Sequence, residues 1–226
     1  CSGRTNRTRI MLKWITDYIK YVEARPQDFN IWVKNNVRQI KELIARPNIF
    51  YKEADPLAFR DLARMSKHRE GIWSGKPIEL NREQRYIAAC ILGIKVWNEK
   101  EHRFVRYFTE LNLFVSRKWG KDTFIVPLIA YFIGLDKEPS AWCQILAENE
   151  TQAKRTFDLI RENVREEPLN EWFSGTNQTS KVITCPKTNG KIQYLSGRVK
   201  GKDGANPSVA VVNEAHEITN KNQYNA

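Results

Sequence analysis

The sequence predicts an α/β fold in which helices flank a mostly parallel sheet, and a helical lead-in precedes this core. Three observations predict it. Short apolar runs alternate with helix-like segments through the second half of the chain, a Gly-Lys loop precedes an apolar helix, and four consecutive β-formers end in polar residues. We place the boundary at residue 70, which gives a lead-in or lid region 1–70 and a core 71–226.

The lead-in is predicted to be helical. Apolar residues recur at helical spacing over residues 10–24 and 28–45, and Pro26 and Pro47 punctuate the two segments. A third helix begins at Asp55, where proline follows at an early helical position.

The connection into the core is glycine-rich. Residues 71–80 form an irregular linker, and Asn81 is a good N-cap for a helix that we expect to run through Gln84 to Ile94. Further strands are expected at residues 111–115, 141–147, 182–184, 191–195 and 209–212, with helices at 123–132 and 151–165. The strands at 182–184 and 191–195 are joined by a turn and form a hairpin.

The chain is strongly basic, with a net charge of +11. Residues 1–114 hold 22 basic and 13 acidic side chains, against 15 and 13 in the rest. This bias indicates contact with a polyanion, and a solvated basic face is the alternative. The four cysteines have no metal-ligand spacing, which favours a reduced protein without structural zinc, and no apolar run approaches the roughly 20 residues of a membrane span.

The first chemical motif is the loop between the strand at 111–115 and the helix that follows. Strand, tight loop, Gly-Lys and helix is the context of a phosphate-binding P-loop, in which backbone N–H groups and the lysine, here Lys121, contact phosphate oxygens. Ser116 stands where such loops have their first glycine, and Asp122 stands where they have a hydroxyl, with Thr123 one residue later. The candidate nucleotide-binding residues of this loop are Ser116, Arg117, Lys118, Trp119, Gly120, Lys121, Asp122 and Thr123.

The second motif follows the strand at 209–212. A central parallel strand delivers catalytic groups at its carboxyl end, so Glu214 is the candidate that polarises the attacking water. Asn213 occupies the position of the usual metal-supporting aspartate, and we expect it to act with Asp122 and Thr123 toward Mg²⁺. A second Gly-Lys-Asp at residues 201–203 lacks a following helix and is predicted to be a mobile basic loop.

These motifs stand in a specific order. The chain carries a Gly71–Pro77 stretch ahead of Leu80 and Gln84, then Arg117-Lys118-x-Gly120-Lys121, then Ala147-Glu148-Asn149-x-x-Gln152-Ala153, then Gly204–Ser208 leading into Asn213–Glu217. Over most of residues 55–218 it resembles the ATPase domain of the large terminase subunit of tailed phages, the motor that packages DNA into the capsid.

The resemblance implies roles for individual residues. Gln84 would contact the adenine of ATP, Arg117 and Lys118 would supplement Lys121 around the phosphates, and Glu214 would be the catalytic carboxylate. An exposed helical glutamine and a solvated basic loop are the structural alternatives for Gln84 and for Arg117 with Lys118. Nucleotide binding is expected to survive Asp122 and Asn213, and hydrolysis to be slower than at a standard site.

The resemblance also implies partners. They are double-stranded DNA, further copies in a homo-oligomeric ring, the portal protein and the small terminase subunit, all in the cytoplasm of a bacterial host and without a membrane. Family members continue into an RNase H-like nuclease. No acidic triad can be assigned here, so we expect no metal-dependent DNA cleavage by these residues.

Two other functions stay open. A catalytically weakened or inactive P-loop protein that binds nucleic acid or serves in assembly would keep the fold and the basic surface. A DEAH-like helicase is suggested by Glu214-Ala215-His216, but a second recombinase-like domain would have no room in 226 residues.

Overall fold

Two separate sheets form in the computed structural model, which describes residues 13–116, 118–136, 138–195 and 206–213. Contacts divide the chain into a first unit, Cys1–Asp61 with Glu79–Ser116, and a second unit, Leu62–Ile78 with Arg117–Ala226. Each unit contains residues from both sides of residue 70, where we placed the domain boundary. The separate functions of regions 1–70 and 71–226 stay a prediction.

The described residues form six α-helices and seven strands. The helices are α1 (Lys13–Glu23), α2 (Ile31–Ile44), α3 (Ala54–Met65), α4 (Arg82–Ala88), α5 (Lys121–Gly134) and α6 (Glu150–Val164). The strands are β1 (Ile49–Tyr51), β2 (Ile94–Asn98), β3 (Arg103–Arg106), β4 (Trp142–Leu146), β5 (Val182–Cys185), β6 (Gly190–Tyr194) and β7 (Val209–Val212). Short 3₁₀ turns lie at Pro26–Asp28, Gly71–Trp73 and Leu169–Glu171.

In the first unit, α1 packs against α2 and α4 around an aromatic and aliphatic core. The rings of Tyr18 and Tyr86 stack with centroids 4.3 Å apart, and the Tyr86 hydroxyl donates to Asn36 Oδ1 at 2.7 Å. A buried phenol needs such an acceptor, so this bond fixes α4 on α2. Asn30 caps α2 by accepting from the Val33 N–H. The helical lead-in is confirmed over the described residues.

The helix predicted to reach Ile94 is shorter. After α4 the chain makes a π-helical turn over Ala89–Gly93, and Ile94 begins β2, which pairs antiparallel with β1 and β3. A Cβ on Gly93 would lie 2.3 Å from the Tyr51 ring, so the strand pairs closely only because residue 93 is glycine. Pairing with two neighbouring strands outweighs the helical spacing of these apolar residues, and the sequence did not predict β1–β3.

The second unit holds the sheet expected from the sequence. Its strand order is β5-β6-β4-β7, with β4 parallel to both β6 and β7, and β5 antiparallel to β6. Helices α5 and α6 pack against each other and against β4 and β6. The α/β class, the mostly parallel sheet and the added hairpin are therefore confirmed.

The strand predicted ahead of the phosphate loop is absent. Residues 108–116, all of them described, form no regular structure, and the Phe114 side chain is 97% exposed. A strand needs a neighbour for its N–H and C=O groups. Among the described residues, the apolar run pairs with no strand.

The segment Leu62–Ile78 is tied to the end of α6 by ion pairs. Lys67 and Arg69 contact the two oxygens of Glu166 at 2.7 and 2.5 Å, and the Lys67 N–H donates to Asn163 Oδ1 at 2.8 Å. Hydrogen bonds from Arg69 and then Lys67 lower the pKa of Glu166 to about 2. The glycine-rich linker is thus anchored on the second unit.

Candidate nucleotide-binding site

The loop before α5 has the backbone shape of a phosphate cradle. Gly120 has φ 89° and ψ 35°, in the left-handed region that glycine adopts without strain, and Lys118 has φ 67°. Left-handed residues in a loop turn successive N–H groups toward one side, which forms a concavity for anions. Among the described residues no side chain caps α5, so its first N–H groups face outward with the positive end of the helix.

Lys121, the predicted phosphate ligand, is the first residue of α5, and Asp122 and Thr123 complete its first turn. All three side chains are partly exposed. The Trp119 ring packs edge-to-face on Phe124, with centroids 6.1 Å apart, which fixes the loop against the helix. The structure therefore brings the predicted loop residues from Lys118 to Thr123 together at one helix start.

The direction of α5 follows from its other end. The Thr188 hydroxyl donates to the Ile133 carbonyl at 2.7 Å. A Cβ on Gly190, the first residue of β6, would lie 2.9 Å from Ile133 and 3.2 Å from the carbonyl of Ala141, which precedes β4. The C-terminus of α5 thus lies at the amino ends of β4 and β6. Because 14 helical residues extend about 20 Å along these strands, Lys121 lies toward their carboxyl edge.

Asn213 lies at that same carboxyl edge. Its N–H donates to the Leu146 carbonyl at 2.9 Å, where β7 pairs with the end of β4. Its Nδ2 donates to Thr156 Oγ1 on α6 at 2.9 Å. Its Oδ1 is buried and accepts no hydrogen bond from a described residue. A buried acceptor without a partner is costly, and a water molecule or a metal-bound water would satisfy it.

Thr156 is the residue that the sequence analysis missed. It is 2% exposed and lies on the buried face of α6 beside Ala153 and Phe157. A hydroxyl at helical spacing from the apolar residues Ala153, Phe157 and Ile160 is the signal that could have found it, since a buried hydroxyl requires a partner.

The motif at residues 147–153 forms the turn from β4 into α6. Asn149 is the N-cap of α6, and its Oδ1 accepts from the Gln152 N–H at 3.0 Å. Ala153 is fully buried beneath the first turn. These residues therefore hold α6 at the carboxyl edge of the sheet, where Thr156 meets Asn213.

Gln84 belongs to the first unit and has a local partner. Its N–H donates to Asn81 Oδ1 at 2.8 Å, and its Oε1 accepts from the Asn81 N–H at 3.0 Å. The two residues form a capping box at the start of α4, as the spacing Asn-x-x-Gln allows, and the predicted N-cap role of Asn81 is confirmed. Gln84 is buried, 5% exposed, so the exposed-glutamine alternative is wrong.

Several predicted residues have no described geometry. Arg117 and Glu214 lie outside the described residues, as do the second Gly-Lys-Asp at 201–203 and His216. Ser116 and Lys118 have exposed side chains.

Two further properties concern metal binding and membrane spanning. Over the described ranges no group of three His, Cys, Asp or Glu side chains is placed to hold a metal ion, so the nearby candidates for Mg²⁺ are hydroxyl and amide oxygens with the Asp122 carboxylate. None of the described helices has the length and apolar character needed to cross a bilayer.

One of the comparisons with known proteins bears on the fold. No protein-family model matches this chain, and no curated protein matches it in sequence. Among solved structures, the crystal structure of the HK97 bacteriophage large terminase is similar, with a TM-score of 0.53 and 18% sequence identity over 72% of this chain. The fold is terminase-like. The chain spans 31% of the length of that terminase, and at this identity the likeness concerns the fold alone.

Proposed function

We propose that this chain is the ATP-binding and ATP-hydrolysing module of a DNA-packaging motor of the large-terminase kind, acting on double-stranded DNA. One observation carries the proposal. The uncapped start of α5, with Lys121, and the buried Oδ1 of Asn213 lie at the same carboxyl edge of parallel strands. Ligands of open α/β sheets bind at that edge. The terminase-like fold supports the same function.

Each candidate residue has a chemical task in this proposal. Lys121 and the backbone N–H groups after Gly120 contact the phosphates of ATP, while Arg117 and Lys118 add positive charge as the phosphoryl group transfers. Glu214 orients the attacking water.

Mg²⁺ would be held by Asp122 or Thr123 and, through a water molecule, by Asn213 Oδ1. When bound, it neutralises charge on the phosphates. The buried acceptor of Asn213 fits such a water, because no described residue donates to it.

Gln84 would contact the adenine with its amide Nε2, because its Oε1 already accepts from the Asn81 N–H. A donor suits the ring nitrogens of adenine, which accept hydrogen bonds. The capping box would then hold the amide in a fixed orientation for the base.

The test is ATP binding and Mg²⁺-dependent phosphate release, measured with and without duplex DNA. Lys121→Ala should abolish release, and Asn213→Asp should raise it, because a carboxylate adds the missing charge near the metal. Lys154→Ala is the control, since Lys154 forms an exposed ion pair with Asp158 on α6. Absence of ATP binding by the parent protein would refute the nucleotide site.

A second function is favoured by one observation, the neutral amide at position 213. A P-loop protein with weak or no turnover could still bind nucleic acid or serve in assembly. Binding of ATP without release in the parent, together with release in Asn213→Asp, would select this function. A homo-oligomeric ring on a portal protein, a small terminase subunit as partner and a location in the bacterial cytoplasm belong to the first proposal.

A further inference from the structure

The three-stranded sheet of the first unit has two unlike faces. Side chains alternate along a strand, so Ile94 and Val96 of β2 point to one face. Together with Ile49 and Tyr51 of β1, Ile94 lies against the core of the first unit. Lys95 and Trp97 point to the other face.

The outer face carries an aromatic cluster. Phe104 lies opposite Trp97 in the β2–β3 register, and their ring centroids are 5.1 Å apart. Phe50 of β1 contacts Phe104 with centroids 4.6 Å apart. Each strand contributes one of these side chains, and they are 45% (Phe50), 39% (Trp97) and 48% (Phe104) exposed. Adjacent exposed aromatic rings on neighbouring strands form an apolar patch, which marks a binding surface.

The same face is basic. Lys95 lies between Phe50 and Arg106 in the register, and Lys52 follows Phe50 by two residues. Lys95 is buried, 7% exposed, and shares the carboxylate of Asp55 with the half-exposed Lys52, at 2.8 and 2.7 Å. The buried Lys95 offsets the charge of Asp55, so Lys52 adds a net positive charge at the surface. The three strands, Ile-Phe-Tyr, Ile-Lys-Val-Trp-Asn and Arg-Phe-Val-Arg, contain no acidic residue.

We propose that this face, formed by Phe50, Trp97 and Phe104 with Lys52 and Arg106, is a platform for single-stranded nucleic acid. Unpaired bases stack on the aromatic rings, and the basic side chains neutralise the phosphates between them. Phe50 and Lys52, like Phe104 and Arg106, lie two residues apart on one face, which matches the alternation of bases and phosphates. A duplex hides its base faces, so the platform binds unpaired segments. None of these five residues is a candidate ligand of the proposed ATP site.

The test measures fluorescence anisotropy of labelled oligodeoxythymidylate of about 12 nucleotides, a length typical of such platforms. Trp97→Ala and Phe104→Ala should each weaken binding about five- to a hundredfold, the cost of losing a stacked base. Trp97→Phe, which keeps a ring, should retain most of the affinity. Trp32→Ala is the matched control, because Trp32 is 78% exposed but lies on α2, outside this sheet.

Oligouridylate and a blunt duplex of the same length complete the experiment. Oligouridylate that binds as well as oligodeoxythymidylate widens the platform to RNA. If Trp97→Ala weakened duplex binding as much as it weakened oligonucleotide binding, the proposal that unpaired bases stack on this face would be wrong. Unchanged oligonucleotide binding in both alanine variants would overturn the proposal. If the two alanine variants change only the oligomeric state measured by sedimentation, the face is a contact between copies and the proposal is wrong.

Discussion

Asn213 and Thr156 are joined by a hydrogen bond of 2.9 Å between Nδ2 and Oγ1, and this bond links the end of β7 to the buried face of α6. The Asn213 main chain is fixed by the Leu146 carbonyl, so both ends of the residue are held. Its Oδ1 therefore keeps one orientation at the carboxyl edge of the sheet.

Thr156→Val should destabilise the protein. Valine keeps the shape of threonine but leaves the Asn213 amide without its acceptor, at a cost of about 1–3 kcal/mol. Thr156→Ser keeps the hydroxyl and should lose less. Urea unfolding followed by circular dichroism measures the free energy of unfolding. Equal losses in the two variants would show that packing of the methyl group, and not the hydrogen bond, matters at this position.

Gln84→Ala and Asn81→Ala separate the capping role of Gln84 from a role at adenine. Each variant removes one bond of the capping box, and Asn81→Ala should cost about 1 kcal/mol of stability. If Gln84 contacts adenine, only Gln84→Ala should also lower the affinity for ATP relative to GTP. The measurement is competition of both nucleotides against a fluorescent ATP analogue. If Gln84→Ala changed the affinities for ATP and GTP equally, Gln84 would act only in the capping box.

The second unit was predictable because its signals are local. A continuous apolar run after the Gly-Lys loop placed α5, amphipathic spacing placed α6, the turn before Gly190 placed the hairpin, and a run of β-formers placed β7. Lys121 and Asn213 were located for the same reason, since one follows a loop glycine and the other ends a strand.

The features that the sequence did not predict depend on contacts between residues that are distant in the chain. Ile94 has helical spacing from α4, yet it pairs with Tyr51, more than 40 residues earlier in the chain. The 111–115 run has strand composition but gains no strand neighbour among the described residues. The bond of Thr156 to Asn213 joins two residues that are 57 positions apart, and no pattern in a single sequence pairs them.

Glu166→Gln should remove part of the pH dependence of stability in a defined range. The folded pKa of Glu166 is about 2, below its ordinary value of 4.5, so the ionised carboxylate stabilises the fold above pH 4.5. This contribution is lost as the pH falls from 4.5 toward 2. The variant should therefore melt lower than the parent at pH 7, and the difference should shrink on acidification. Because the carboxylate is 36% exposed, the difference should be only roughly 1–3 °C.

Differential scanning calorimetry from pH 7 to the acid limit of reversible unfolding measures this gap. Glu171→Gln is the control, because Glu171 is exposed and has no ion pair among the described residues. A gap between parent and Glu166→Gln that stays constant below pH 4.5 would contradict a pKa lowered by Arg69 and Lys67.

Gly120→Ala tests whether the left-handed turn before α5 shapes a phosphate site. At φ 89° an alanine is strained by about 1–2 kcal/mol, so the melting temperature should fall by roughly 2–8 °C. Gly71→Ala is the matched control, since Gly71 has φ 72° and a Cβ added there would meet nothing within 4 Å. Both variants should lose similar stability, but only Gly120→Ala should bind the fluorescent ATP analogue more weakly, because relief of the strain turns the N–H groups at the start of α5. Parental affinity in Gly120→Ala would mean that the phosphates are bound elsewhere.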